Sequence, residues 1–127
     1  MHHKDTFQEG SILFVWNAGE GWHQAVRDTL HKWLDPKTYP CRLCQLTYGP
    51  FGPREQWSRF VERCDRPLHF FHRETFKASP ASRQFPGMAL PAVLEFRQGR
   101  WAILMGPREI NQMGSLEALL ARLEQVL

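Results

Sequence analysis

Two cysteines separated by two residues, Cys41 and Cys44, are the residues of this chain whose types and spacing could do chemistry. Such a pair can form a reversible disulfide, or it can supply half of the ligands of a metal site. A third cysteine, Cys64, lies further along the chain. Three interpretations of these thiols follow from the sequence, and the sequence leaves all three open.

The first interpretation is thiol redox chemistry. Cys41 attacks or is attacked and Cys44 resolves the mixed disulfide, while Lys37 and Arg42 favour a thiolate. The motif is expected in a loop that enters a strand. A motif in that position is not followed by a helix N-terminus, which is where cysteine pairs of this kind are usually activated.

The second interpretation is a zinc site in which Cys41 and Cys44 are joined by Cys64 or by a histidine such as His69 or His31. Tetrahedral zinc takes four protein ligands in a structural site. The chain has no second Cys-x-x-Cys and no His-x-x-x-His that would supply them plainly.

The third interpretation is structural. Cys44 and Cys64 are then core thiols, and Cys41 has no role. Cys64 shares an apolar stripe with Trp57, Phe60 and Val61 at helical spacing, and cysteine in such a stripe behaves as a small hydrophobe.

The elements that must position these thiols can be predicted from periodicity. The apolar run 11–16 predicts a buried strand, and the pattern of residues 43–48 predicts a second strand. Between them a helix is expected that ends at Asp35–Pro36. Its apolar positions are Trp22, Val26, Leu30 and Trp33.

The second half of the chain continues this alternation. A turn at 49–53 places Pro53 at the start of the helix that carries Trp57, and a third strand covers 68–72. Residues 75–90 show little periodicity and predict either a lid or a plain connection. A hairpin over 92–105 follows, with Gly99 in its turn, and then a helix capped by Ser115.

This order predicts one α/β domain over residues 1–127, with parallel strands closed by an antiparallel C-terminal hairpin and helix. Residues 90–100 read Leu-Pro-Ala-Val-Leu-Glu-Phe-Arg-Gln-Gly-Arg. This segment is similar to the proline–strand–turn signature of the thioredoxin-like family, and the chain resembles that family's three-layer fold. The resemblance implies that Pro91 is the family's cis-proline, which borders its active site.

The chain departs from the family at the redox position. The family's cysteine pair lies where the first strand meets its helix, but residues 17–23 contain no cysteine. The third strand is an addition to the family's elements. The expected topology puts Cys41, Cys44 and Cys64 at the end of the sheet opposite the family's active edge.

A second candidate site lies at the carboxyl ends of the strands, where open α/β sheets usually bind ligands. Glu20 and His23 could act there as acid and base, or both could simply face solvent. The residues expected at this edge are Asn17, Glu20, Trp22, His23, Tyr48, His72 and Pro91.

Composition restricts the partners. The formal net charge is +3, and the basic residues are dispersed; Arg54, Arg59, Arg63 and Arg66 alternate with acidic residues as on a solvated helix face. Nucleic acid is therefore an unlikely partner. No apolar run reaches the length of a membrane span or of a secretory leader, and an odd cysteine count argues against a disulfide framework. The cytoplasm is the expected location.

These observations predict a thioredoxin-like protein without the standard active site, acting as a binding or redox-accessory protein on an unknown protein or thiol partner. The alternatives are an unconventional thiol–disulfide oxidoreductase that uses Cys41 and Cys44, and a cysteine-ligated zinc site. No other cofactor is expected.

Overall fold

The computed structural model describes residues 7–24, 41–49 and 51–127. Residues 22–24 are helical, and the rest of the helix expected up to Asp35 lies outside the described residues. The other elements are β1 (Ile12–Val15), α1 (Arg42–Thr47), β2 (Tyr48–Gly49), β3 (Gly52–Pro53), α2 (Glu55–Arg63), β4 (Leu68–Phe71), α3 (Arg73–Ala78), a 3₁₀ turn (Pro80–Gln84), β5 (Ala92–Arg97), β6 (Arg100–Met105), α4 (Pro107–Asn111) and α5 (Leu116–Val126).

A mixed four-stranded sheet organises these elements, with the strand order β4-β1-β5-β6. β1 runs parallel to β4 and antiparallel to β5, and β5 and β6 form an antiparallel hairpin. The sheet confirms the predicted α/β class. β4 is the parallel neighbour of β1, so the strand predicted at 68–72 belongs to the main sheet.

The two faces of β1 bury separate apolar clusters. Phe14 packs in one cluster with residues of α1, α2 and α5, while Leu13 packs in the other with Phe76 of α3 and Ala81 of the 3₁₀ turn. All four residues of β1 are fully buried, as the continuous apolar run predicts. Helices therefore cover both faces of the sheet.

The C-terminal hairpin agrees with its prediction. Gly99 has a positive φ of 79° and Gln98 one of 54°, as a tight two-residue turn between twisted strands requires. The Leu90–Pro91 peptide bond is cis, as the resemblance implies. Ser115 caps α5 by accepting a hydrogen bond from the backbone N–H of Ala118, which confirms the predicted helix start.

The strand predicted over 43–48 is wrong. Residues Arg42–Thr47 form α1, and only the two residues Tyr48 and Gly49 continue as a strand. Leu43, Leu46 and Thr47 are buried together, which is the i, i+3, i+4 pattern of one helix face. In so short a run this pattern also resembles a buried strand, because every second or third residue is apolar.

Residues 75–90 are not a bare loop. They contain most of α3 and the 3₁₀ turn, and Phe76 and Ala81 are buried against β1. Elements of one or two turns are too short to show periodicity, so the pattern missed them. Pro53 lies in β3 rather than at the start of α2, whose N-cap is Arg54.

Arg66 does not lie on a solvated helix face. Arg66 follows α2 in the chain. Its guanidinium donates to the carbonyl oxygens of Gly10 and Leu127 at 2.8 and 2.9 Å and forms an ion pair with Glu95. It therefore joins the N-terminal segment, the sheet and the C-terminus. Among the described residues no helix has the length and apolar character needed to cross a membrane.

Candidate functional site: the Cys41–Cys44 pair

Cys41 begins the short helix α1. It is the N-cap residue in an extended backbone conformation, and its sulfur accepts a hydrogen bond from the backbone N–H of Cys44 at 3.2 Å. The Thr47 hydroxyl donates to the carbonyl oxygen of Leu43 at 2.8 Å, one turn earlier. These two contacts lie at the two ends of α1, so the helix holds the spacing of the cysteine pair.

The two thiols are in contact but differ in exposure. Cys41 Sγ lies 2.6 Å from Cys44 Sγ, and both cysteines are free thiols. Cys44 is fully buried in the cluster around Phe14, whereas Cys41 is only partly buried at the edge of that cluster. Cys41 is therefore the more exposed of the two thiols.

The surroundings of Cys41 favour its thiolate. The hydrogen bond from the Cys44 thiol lowers the pKa of Cys41 to about 7, against the opposing effect of partial burial. The backbone N–H groups of Cys44, Asn17 and Leu43 lower this pKa further. A thiolate, not a thiol, is the nucleophile in disulfide exchange.

Cys44 has the opposite character. Burial raises the pKa of its thiol far above the ordinary value, and the hydrogen bond to Cys41 and the negative charge of Cys41 raise it further. Cys44 therefore holds its proton while Cys41 is a thiolate. The pair consists of one accessible, acidic thiol and one buried, protonated thiol.

The pair lies at the carboxyl end of β1, since the backbone N–H of Asn17 contacts the sulfur of Cys41. Ala92 pairs with Val15 in antiparallel register, so Pro91 lies at this same edge. The expectation that Cys41 and Cys44 lie at the opposite end is wrong. It rested on the strand predicted at 43–48, which would have reversed the direction of the chain at this point.

Cys64 does not join the pair. It is the C-cap residue of α2, and the chain then reaches Pro67, whose carbonyl accepts from the backbone N–H of Ile12 at the start of β1. The length of β1, about 13 Å for its four residues, therefore separates Cys64 from Asn17 and from the cysteine pair.

The predicted zinc ligands do not assemble in the described part of the chain. Within residues 7–24, 41–49 and 51–127 no group of three or more His, Cys, Asp or Glu side chains could hold a metal ion. His69 lies on β4 against Phe7, with ring centroids 4.8 Å apart, and burial lowers its pKa. His31 and Lys37 lie outside the described residues. Arg42 directs its Nε to the carbonyl oxygen of Met113, and hydrogen-bond donors are the groups that lower the pKa of Cys41.

Four of the residues expected at the ligand edge come together. Trp22, His23, Tyr48 and His72 line a cavity of about 390 Å³. Glu20 is exposed and does not line it, so the structure does not bring the suggested acid–base pair of Glu20 and His23 together in this cavity.

Three aromatic residues that were not predicted at this edge also line the cavity. They are Trp16, Trp57 and Phe70. Trp16 and Trp57 are largely buried, whereas Phe70 is 39% exposed. The sequence feature that could have indicated Phe70 is the alternation on β4, which puts Phe70 and His72 on the same face of the strand. This feature identifies a cavity wall only once the position of the neighbouring helix is known.

Comparison with known proteins adds no relative to these observations. No protein-family model, no curated protein and no solved structure matches this chain.

Proposed function

We propose that this chain is a thioredoxin-like thiol–disulfide oxidoreductase in which Cys41 is the nucleophile and Cys44 is the resolving thiol. The observation that carries the proposal is the contact of 2.6 Å between two free thiols of opposite character. A binding or redox-accessory role would require no such difference in accessibility and pKa between the two cysteines.

The fold part of the proposal is supported by the order of the strands. A parallel pair, β1 and β4, is extended by an antiparallel hairpin, and helices cover both faces of the sheet. The pair begins a helix at the carboxyl end of β1, which is where the thioredoxin-like resemblance puts a redox pair. The chain reaches this position through residues 17–40, so the cysteines lie far from β1 in sequence.

The chemistry balances as two exchanges. The Cys41 thiolate attacks one sulfur of a substrate disulfide, forms a mixed disulfide and releases the other sulfur as a thiolate. Cys44 then gives its proton to this released thiolate, and the resulting Cys44 thiolate attacks the sulfur of Cys41. The Cys41–Cys44 disulfide forms and the second substrate sulfur leaves as a thiolate that takes a proton from solvent, so two electrons pass from the pair to the substrate. A dithiol reductant restores the pair.

The buried thiol is suited to the second step. The charge of Cys41 is one of the causes that raise the pKa of Cys44, and this charge disappears once Cys41 is in the mixed disulfide. Deprotonation of Cys44 therefore becomes easier at the stage where its thiolate is needed.

Trapping of the mixed disulfide tests the proposal. The Cys44→Ser variant, mixed with oxidised glutathione, is expected to accumulate one glutathione per chain at Cys41, as read by intact mass and peptide mapping. The wild-type protein should instead form the Cys41–Cys44 disulfide, and Cys41→Ser should remain unmodified at position 44. Cys64→Ser is the matched control and should behave as the wild type. Glutathione bound at Cys64 alone, or no disulfide in the wild type, would overturn the proposal.

A further inference from the structure

We propose that the aromatic cavity beside the cysteine pair binds a small organic cation, of the methylated ammonium class. This site is separate from the thiol chemistry and does not depend on it. Aromatic rings and the imidazoles of His23 and His72 form most of its lining, and among the described residues Glu62 on α2 is the only Asp, Glu, Lys or Arg there. The cavity volume of about 390 Å³ lies in the range typical of small-molecule sites.

The exposed face of Phe70 forms one wall. β4 is the edge strand of the sheet, with β1 as its neighbour. On the β1 side, the Phe70 ring stacks against Phe14 and Trp16, with interplanar angles of 16° to both. The other face of Phe70 is therefore turned away from the sheet, which accounts for its 39% exposure.

Further rings stand at steep angles to this wall. Trp57 is inclined at 78° to Phe70, and Tyr48 at 83° to Trp16 and 71° to Trp22. Trp16, Trp22 and Trp57 are largely buried behind these rings, so the outer face of Phe70 and the half-buried ring of Tyr48 are the π surfaces most open to an occupant. Such an arrangement recognises quaternary ammonium groups, because the negative faces of the rings attract a cation whose methyl groups pack against them.

The charge of the lining decides between ligand classes. Within residues 7–24, 41–49 and 51–127 no lysine or arginine lines the cavity, and the exposed Glu62 contributes a negative charge to its lining. An anion would meet a carboxylate and the faces of π systems and would be repelled. A neutral aromatic molecule would gain nothing from Glu62, so the lining is complementary to a cation in particular.

A charged and an uncharged isostere test the proposal on the full-length protein. Choline and dimethylbutanol have nearly the same shape, but only choline carries the positive charge. Isothermal titration calorimetry is expected to show choline binding at least about tenfold more tightly than dimethylbutanol, since a cation over several rings is attracted by more than its apolar area. Equal affinities, or no choline binding at millimolar concentration, would overturn the proposal.

Two variants assign the binding to this cavity. Glu62→Gln keeps the shape of an exposed side chain and should weaken choline binding several-fold, while Phe70→Leu should weaken it by removing a ring. Glu124→Gln removes a comparable carboxylate of α5 that lines a different cavity and should leave binding unchanged. If Phe70→Leu does not fold, Glu62→Gln still decides. Choline affinity that is unchanged in Glu62→Gln, or lowered equally in Glu124→Gln, contradicts the site.

Discussion

Cys41 Sγ and Cys44 Sγ lie 2.6 Å apart at the start of one short helix, and the structure gives the two sulfurs opposite properties. Cys41 is reachable and acidic, whereas Cys44 is fully buried and protonated. The redox interpretation of the sequence has Cys41 attack and Cys44 resolve, but the spacing of the two residues does not show which thiol is acidic. The difference arises because α1 turns its buried face, with Cys44, toward the cluster around Phe14, while the N-cap residue remains at the surface.

Alkylation by iodoacetamide should modify Cys41 first and should depend on pH through its thiolate. The rate is expected to rise with pH and to be half-maximal at about 7, because the hydrogen bond from Cys44 lowers the pKa of Cys41. A free cysteine titrates at about 8.5. Mass spectrometry of the labelled peptides gives the rate at each cysteine. Faster labelling at Cys44, or a midpoint that matches free cysteine, would contradict this arrangement.

Removal of the Cys44 thiol should raise the pKa of Cys41. In Cys44→Ala the donor that contributes most to the low pKa is lost, so the midpoint of Cys41 alkylation should move to higher pH. Cys44→Ser retains a donor and should move it less. The midpoint pH of Cys41 alkylation is therefore expected to rise from wild type to Cys44→Ser to Cys44→Ala. Cys64→Ser is the control and should leave this midpoint unchanged. Identical midpoints for Ala and wild type would show that the Cys44 thiol does not tune Cys41.

Loss of the Arg66 guanidinium should destabilise the fold. Arg66 donates to two backbone carbonyls and pairs with Glu95, which is only 9% exposed. In Arg66→Ala the described partner left to this carboxylate is Arg97 at 3.3 Å, and a loss of about 2 kcal/mol in the free energy of unfolding is expected because a largely buried acceptor loses its charged donor. Urea denaturation followed by circular dichroism measures it.

Arg59 provides the matched control for Arg66. Its ion pair with Glu55 lies on the exposed face of α2, with the nitrogen and oxygen 3.4 Å apart. Arg59→Ala should cost no more than about 0.5 kcal/mol. Equal losses for the two arginines would mean that the Arg66 contacts contribute nothing beyond a surface ion pair.

The hairpin turn should depend on Gly99. Its φ of 79° is a conformation that a side chain disfavours, although a Cβ there would meet no atom within 4 Å. Gly99→Ala is therefore expected to lower the free energy of unfolding by about 1 kcal/mol through backbone strain alone. Gly114→Ala, where the space is equally open and φ is not positive, should change stability little. Thermal or urea unfolding compares the two, and equal effects would argue against the positive φ.

Elements with a long, regular pattern could be predicted from sequence. The run over β1 marked a strand with both faces buried, and the leucines of α5 with Ser115 before them marked a capped helix. The hairpin was specified by two apolar runs with a glycine in the turn between them. In each case a local periodicity or turn residue states the burial pattern directly, so the element does not depend on contacts distant in sequence.

The neighbourhood of the thiols could not be predicted in this way. α1 has six residues, and a helix of this length shares its apolar pattern with a short buried strand. The error reversed the expected end of the sheet for Cys41 and Cys44 and made Cys64 look like their neighbour. The contact of Asn17 with Cys41 joins residues separated by a long connection, and only the packing of α1 against the sheet decides it.

The sequence by itself determined an α/β class, the buried central strand, the C-terminal hairpin and helix, and the presence of two cysteines at redox spacing. Local patterns of burial and turn chemistry carry that information. Only the tertiary structure decided which end of the sheet holds the pair, which thiol is acidic and reachable, and which aromatic rings enclose one cavity. Those properties depend on burial and on hydrogen bonds between residues remote in the chain.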